Sequence, residues 1–168
     1  AALATKKIKL GVLAVSPYEM HPLKIANAIL TLNEISNGRA VVAIGGGGSV
    51  MGATGIKMDP KAQRMLRGVR ECVEMVKQVT SGKFVQGYPG ELFKLSRPLK
   101  SGWAKAPKPG VFTCSTGPKM LELAGKIADG TQMSDVTPEK IGHHMEHLRA
   151  GLTARTTPAE DFRIGNFW

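Results

Sequence analysis

A short apolar run at residues 110–114 leads through a turn at residues 115–118 into a helix-forming segment that ends near residue 130. The glycine of this turn lets the backbone approach a ligand closely. The proline suits a first helical position, where its missing N–H leaves no donor unsatisfied. The free N–H groups of such a helix start, with the positive end of its dipole, attract a phosphate or another anion. A strand that enters a helix in this way and is followed by another strand is the repeating unit of an α/β protein.

The same unit recurs along the chain. Apolar and β-branched runs predict strands at residues 7–15, 39–44, 110–114, 131–134 and 162–167. Apolar residues at helical spacing predict helices that begin at His21 and Pro22, at Asp59 and Pro60, at Pro118 and after Thr137. Residues 49–58 read as a loose stretch, and residues 84–94 as a small β-hairpin that turns at residues 88–90. The pattern predicts an α/β fold with a parallel sheet.

Composition bounds the size and the partners of this domain. The chain has 168 residues, of which 42% are hydrophobic, enough for one domain with a core. The net charge is +10, but the cations are spread over the whole length and aromatic residues make up only 5%, which argues against nucleic acid and suits a small polyanionic cofactor. No apolar run approaches the roughly 20 residues that a membrane span needs. Cys72 and Cys114 form no CxxC pair, which favours free thiols in a reducing cytoplasm.

Two further features bear on chemistry. Four glycines at residues 45–48 follow a buried-type strand directly, where ligands bind in α/β sheets, although neither a P-loop nor a dinucleotide fingerprint surrounds them. His143 and His147 lie one helical turn apart, but no HExxH motif and no third ligand accompany them, so a solvated helix face without metal is predicted. No nucleophile–base pair stands out, and we expect a bound cofactor to carry the chemistry.

Five segments, taken in order, resemble the bacterial luciferase-like family of flavin- and deazaflavin-dependent oxidoreductases, in particular its methylenetetrahydromethanopterin reductase-like branch. They lie at residues 2–12, 21–39, 43–48 (A-I-G-G-G-G), 70–85 and 115–130 (S-T-G-P-K-M-L-E-L-A-G-K-I-A-D-G). The resemblance implies a (β/α)8 TIM barrel with its cofactor at the carboxyl ends of the strands. It implies that residues 1–168 are a single luciferase-like barrel domain, incomplete at both ends, which holds about the third to seventh strands and a small β-hairpin insertion.

The resemblance also carries cofactor-binding positions onto this chain. It implies a cis peptide between Leu13 and Ala14 against the flavin ring, and a strand-end loop at Gly45, Gly46 and Gly47 along the cofactor. The helix start that holds the cofactor phosphate would consist of Ser115, Thr116, Gly117 and Pro118, with Ser134 at the end of the adjacent strand. No catalytic residue is implied, because the acid–base residues of the family belong to strands outside this segment. Gly48 stands where some deazaflavin-dependent dehydrogenases have a catalytic Glu, which argues against sugar-phosphate dehydrogenase chemistry.

The resemblance predicts a cytoplasmic oxidoreductase that transfers a hydride between coenzyme F420, a deazaflavin, and a small organic substrate. FMN in the same place, in a monooxygenase of the same fold, is one alternative. A non-catalytic module for phosphate ligands, or an inactive half-barrel that dimerises, is another. We expect a homo-oligomer that acts on a small-molecule substrate, with neither nucleic acid nor a membrane as partner.

Overall fold

The computed structural model describes residues 1–55, 64–159 and 161–167, and of residues 49 and 50 it describes the backbone alone. Its strands are β1 (Leu10–Val15), β2 (Ala40–Ile44), β3 (Tyr88–Pro89), β4 (Lys94–Leu95), β5 (Gly110–Cys114), β6 (Gly130–Ser134) and β7 (Arg163–Phe167). Its helices are α1 (Pro22–Ile35), α2 (Gly48–Ala53), α3 (Met65–Val79), α4 (Pro118–Ile127) and α5 (Pro138–Thr153). The predicted helix start at Asp59 and Pro60 lies outside the described residues.

Five strands form one sheet in the order β1-β2-β5-β6-β7, and every neighbouring pair is parallel. Strand order in this sheet therefore follows chain order, and each connection between neighbouring strands contains at least one helix. This is the arrangement of consecutive units in a (β/α)8 barrel. The α/β class, the parallel sheet and the partial-barrel architecture predicted from the sequence are confirmed.

The core lies between the sheet and its helices. Alternate residues of β2 and β5, such as Ala40, Val42 and Val111, pack against α1 and α3. A smaller cluster of Leu121, Met133 and Val136 fills the space beside α4 and β6. The neighbouring residues of each strand point to the opposite face, which corresponds to the inside of the barrel, because side chains alternate along a strand.

Local signals place the ends of the helices. The Nδ1 atom of His21 accepts the N–H of Leu23 at 3.2 Å, so His21 caps α1, with Pro22 at the first helical position. After α1, Asn37 and Gly38 both have left-handed backbone, with φ of 54° and 77°, and Gly38 donates its N–H to the Asn33 carbonyl at 2.9 Å. A left-handed glycine just after the last turn is a common way for a helix to end.

The predicted loose stretch after the glycine run is wrong for its first part, because residues 48–53 form the short helix α2. Met51 is only 1% exposed and donates its N–H to the Gly47 carbonyl at 2.9 Å. Burial of this one side chain anchors a glycine-rich segment that has low intrinsic helix propensity. Local sequence reading misses such a helix because tertiary packing stabilises it.

The hairpin is present, but its predicted turn is displaced. Tyr88 and Pro89 belong to β3 and pair antiparallel with β4, so the chain turns at residues 90–93. The carboxylate of Glu71 on α3, which is 2% exposed, accepts the N–H groups of all three residues 91–93 at 2.9–3.1 Å. A buried carboxylate twenty residues away thus sets the position of the turn.

Helices α4 and α5 pack closest where both carry glycine. A Cβ on Gly151 would meet the backbone of Glu122, and a Cβ on Gly125 would meet the backbone of Leu148 and Leu152. Because α4 begins at the turn of residues 115–118, this close packing also positions that turn.

Candidate functional site

The carboxyl ends of β1, β2, β5 and β6 meet at one edge of the parallel sheet. Gly45 donates its N–H to the Val15 carbonyl at 3.0 Å, just beyond the ends of β1 and β2. Ser115 donates its N–H to the Gln132 carbonyl at 3.0 Å, just beyond the end of β5. Ligands of α/β barrels bind at this edge. Each of the residues that the sequence proposes for cofactor binding lies in or directly after one of these four strands.

The ends of β1, β2 and β5, which are neighbours in the sheet, form a small surface without bulky side chains. A Cβ on Gly45 would lie 3.2 Å from the Ala14 Cβ and 3.3 Å from the Cys114 Cβ, so a side chain here would press on both neighbouring strands. The peptide between Leu13 and Ala14 is cis, as expected from the resemblance, and Leu13 is 51% exposed beside it. Ala14, Gly45 and Cys114, which we call the strand-end surface, can lie against one face of a flat ring.

Sequence reasoning did not identify Cys114 as a residue of the candidate site. The alternation of β5 contains the signal, because Val111 and Thr113 are buried against the helices and residue 114 must then point the other way. Burial raises the pKa of the Cys114 thiol to about 11, so this side chain is protonated and uncharged at neutral pH. It acts in the strand-end surface as an apolar wall and not as a thiolate.

Other protein groups contact the glycine run on the side that faces the protein. The Ser16 hydroxyl donates to the Gly46 carbonyl at 3.2 Å. A side chain on Gly46 would collide with the Met65 thioether, and one on Gly47 with Ser16 and Glu19. Gly47 also has φ of 77°, which favours glycine. The lack of side chains at Gly46 and Gly47 therefore leaves room for these neighbouring side chains, which pack against the loop.

The turn before α4 has the features that an anion requires. Gly117 is the N-cap of α4, and nothing lies within 4 Å of the position where its Cβ would be. Thr116, Gly117 and Pro118 are exposed, and no acidic residue lies in the first turn of the helix. The first N–H groups of a helix have no partner inside it, so this open helix start presents donors and a positive dipole end to the solvent.

Ser115 and Ser134 are placed differently from the exposed turn. The Ser115 side chain is 3% exposed and donates from Oγ to Thr113 Oγ1 at 2.9 Å, and Thr113 Oγ1 donates in turn to Thr131 Oγ1 at 3.1 Å. This chain of buried hydroxyls ties β5 to β6 beneath the turn of residues 115–118. Ser134 donates from Oγ to the Asp135 carboxylate at 2.5 Å, which places a negative charge at the end of β6.

Metal-binding clusters and membrane-spanning helices are both absent from the described residues. Within the described part of the chain, no group of three or more His, Cys, Asp or Glu side chains is arranged to hold a metal ion. No helix in the same residues is both long enough and apolar enough to cross a membrane. What the strand ends offer is a surface for a flat ring, backbone donors for an anion, and room near Gly117.

Comparison with known proteins gives a consistent result. The family model described as luciferase-like monooxygenase matches residues 1–167. A 5,10-methylenetetrahydromethanopterin reductase from Archaeoglobus fulgidus is 40% identical over 154 residues, which cover 90% of this chain and 44% of the relative.

Solved structures agree with these sequence matches. The coenzyme F420-dependent tetrahydromethanopterin reductase from Methanopyrus kandleri superposes with a TM-score of 0.79 at 26% identity, over 99% of this chain and 51% of that one. The monooxygenase RslO1 from Streptomyces bottropensis superposes with a TM-score of 0.71 at 25% identity, over 97% of this chain and 50% of that one. This chain therefore spans about half the length of the proteins it matches.

Proposed function

The chain belongs to the luciferase-like monooxygenase family, and from this premise we propose that it forms part of an oxidoreductase that binds coenzyme F420 at the carboxyl ends of its strands. Bound there, the coenzyme supplies hydride transfer to or from a small organic substrate. Relatives at 40% and 26% identity are reductases of the tetrahydromethanopterin type, and the second is named as dependent on coenzyme F420. These relatives support the choice of the deazaflavin.

The observation that carries the proposal is the pairing of two features on one sheet edge. The strand-end surface is free of bulky side chains at Gly45, and the helix start at Gly117 is open. A flat ring with an acidic tail needs both an apolar face to lie against and a site for its phosphate. The net charge of +10 draws such a polyanion toward the protein. The residues present therefore fit the group.

Each proposed site residue has a part in holding the coenzyme. Leu13, Ala14 and Gly45 would lie against the ring, and Gly46 and Gly47 would keep the adjoining backbone close to it. The N–H groups at Thr116 and Gly117, with Pro118 opening the helix, would bind the phosphate. Ser115 would position that turn through its buried hydroxyl, and Ser134 would border the site at the next strand. We name no acid–base residue in this chain.

A second candidate uses FMN in the same place, with oxygen as co-substrate. The description of the matching family model and the likeness to RslO1 favour it. A helix start binds the phosphate of either cofactor, so the strand-end residues serve both.

The test is a matched pair of substitutions at Gly117. Both Asp and Asn fit the open space at Gly117 and both are good N-caps, so neither is expected to weaken α4. Gly117→Asp adds a negative charge beside the phosphate and should lower the affinity for coenzyme F420 about tenfold or more. Gly117→Asn should leave the affinity within about threefold of the original, because it adds the same bulk without charge.

Affinity is measured by fluorescence titration of coenzyme F420 into the purified protein, with a parallel titration of FMN. Equal losses in the two variants would show that bulk matters and charge does not, and would refute the anion site. Unchanged affinity in Gly117→Asp would refute it as well. Binding of FMN in preference to coenzyme F420 by the original protein would replace the first candidate by the second.

A further inference from the structure

The outer surface of α5 carries three histidines at positions 143, 144 and 147. His143 and His147 are one helical turn apart, and their ring centroids lie 4.8 Å from each other with the planes at 87°. Residues four apart in a helix share one face, and two imidazoles in that spacing can bind the same ion. The ring centroid of His144 lies 6.1 Å from that of His143, and its Nδ1 lies 2.9 Å from the Lys140 carbonyl, one turn earlier in the same helix.

Each of the two paired imidazoles has a carboxylate on its Nδ1 side. His147 Nδ1 lies 3.0 Å from Glu122 Oε1, which reaches across from α4, and His143 Nδ1 lies 4.0 Å from Glu146 Oε2. Lys119 also contacts Glu122, at 3.0 Å. A carboxylate has no hydrogen to donate and can only accept hydrogen bonds.

The proton of a neutral His147 ring must therefore sit on Nδ1, and its Nε2 keeps a free lone pair. An imidazole that donates Nδ1–H to a carboxylate and offers Nε2 is the arrangement by which proteins orient histidine ligands for metals. The carboxylate both fixes the tautomer and makes the ring a stronger ligand. His143 has no such hydrogen bond, because its Nδ1 lies 4.0 Å from Glu146 Oε2, and it is the more exposed of the two rings.

We propose that His143 and His147 form a two-histidine site for a divalent first-row transition ion such as Cu²⁺, Ni²⁺ or Zn²⁺, with Glu122 orienting His147 from the neighbouring helix. No third protein ligand is arranged around it within the described residues, so water completes the coordination. The site is formed by α4 and α5 and includes none of the residues proposed for the cofactor. It does not depend on the proposed cofactor.

Cu²⁺ is the probe, because its electron paramagnetic resonance spectrum reports how many nitrogens bind it. The original protein should bind one ion per chain with two nitrogen ligands at this site. His143→Ala and His147→Ala should each reduce the spectrum to one such nitrogen. Glu122→Gln should weaken the affinity about tenfold, and loss of either histidine should weaken it more.

His144→Ala is the matched control, since it removes a histidine from the same helix and should leave both spectrum and affinity unchanged. Circular dichroism verifies that every variant is folded. Equal effects of all three histidine substitutions would overturn the proposal, because they would indicate diffuse binding to the helix surface. An unchanged spectrum in His143→Ala or His147→Ala would overturn it too, as would unchanged affinity in Glu122→Gln.

Discussion

The sharpest stability prediction concerns two glycines in the same helix, Gly142 and Gly151 of α5. Nothing lies within 4 Å of the position that a Cβ on Gly142 would occupy. A Cβ on Gly151 would lie 2.8 Å from the carbonyl carbon of Glu122, where ordinary contact begins at 3.4 Å. The two positions have the same backbone conformation and opposite surroundings, so Ala at each position separates helix propensity from packing.

The two substitutions are expected to change the stability by different amounts. Gly142→Ala should raise the free energy of unfolding by about 1 kcal/mol, because Ala loses less backbone entropy in a helix. Gly151→Ala gains the same amount but forces α4 and α5 apart, since the atom it meets is backbone and cannot rotate away. Overpacking of this kind costs about 1–3 kcal/mol, so Gly151→Ala should be less stable than Gly142→Ala by that amount.

Equilibrium unfolding in urea measures the difference, with the slope of the transition compared to verify that both variants unfold in the same way. A stability of Gly151→Ala equal to that of Gly142→Ala would refute the close packing of the two helices. The substitution should also disturb the turn of residues 115–118, because α4 carries it. Coenzyme affinity of Gly151→Ala is therefore informative only once the variant has been shown to be folded.

Two further predictions concern buried groups. Glu71→Gln should lower the free energy of unfolding by about 1–3 kcal/mol in the urea experiment, because Gln keeps only one acceptor oxygen and its NH₂ group then faces at least one of the N–H groups of residues 91–93. Glu74→Gln is its control and should lower the free energy of unfolding less, since an amide oxygen still accepts the Tyr88 hydroxyl. Equal losses in the two variants would contradict the role given to Glu71 in holding the turn. The alkylation rate of Cys114 should keep rising with pH toward about 11, since only the thiolate reacts and burial raises the pKa of this thiol above the ordinary 9.0. An alkylation rate that levels off by pH 9 in the original protein, and that is absent from Cys114→Ser, would contradict this prediction.

Local sequence determined the elements of the sheet and most of its helices. Strands at residues 110–114 and 39–44 and the helix starts at Pro22 and Pro118 follow from apolar periodicity and from capping residues within a few positions. The order of these elements also carried the family resemblance, and the family match over residues 1–167 confirms it. The positions of the proposed cofactor site followed from the same motifs, because they lie where strands end.

Tertiary structure decided which side chains meet. The sequence placed the glycine run after a strand, but only the pairing of three strands brings Gly45 against Ala14 and Cys114. It proposed Ser115 for the cofactor site, while the structure directs the hydroxyl into a buried chain with Thr113. It placed the hairpin turn at residues 88–90, whereas Glu71 on α3 holds the turn at residues 90–93.

The same holds for the histidine pair of α5. Its spacing was visible in the sequence, but Glu122 lies 25 residues before His147 and reaches it only because glycines let α4 and α5 pack closely. Capping and periodicity act between residues a few positions apart, so a chain read alone reveals them. Hydrogen bonds and packing between distant residues depend on strand register and helix separation, which the whole fold determines at once.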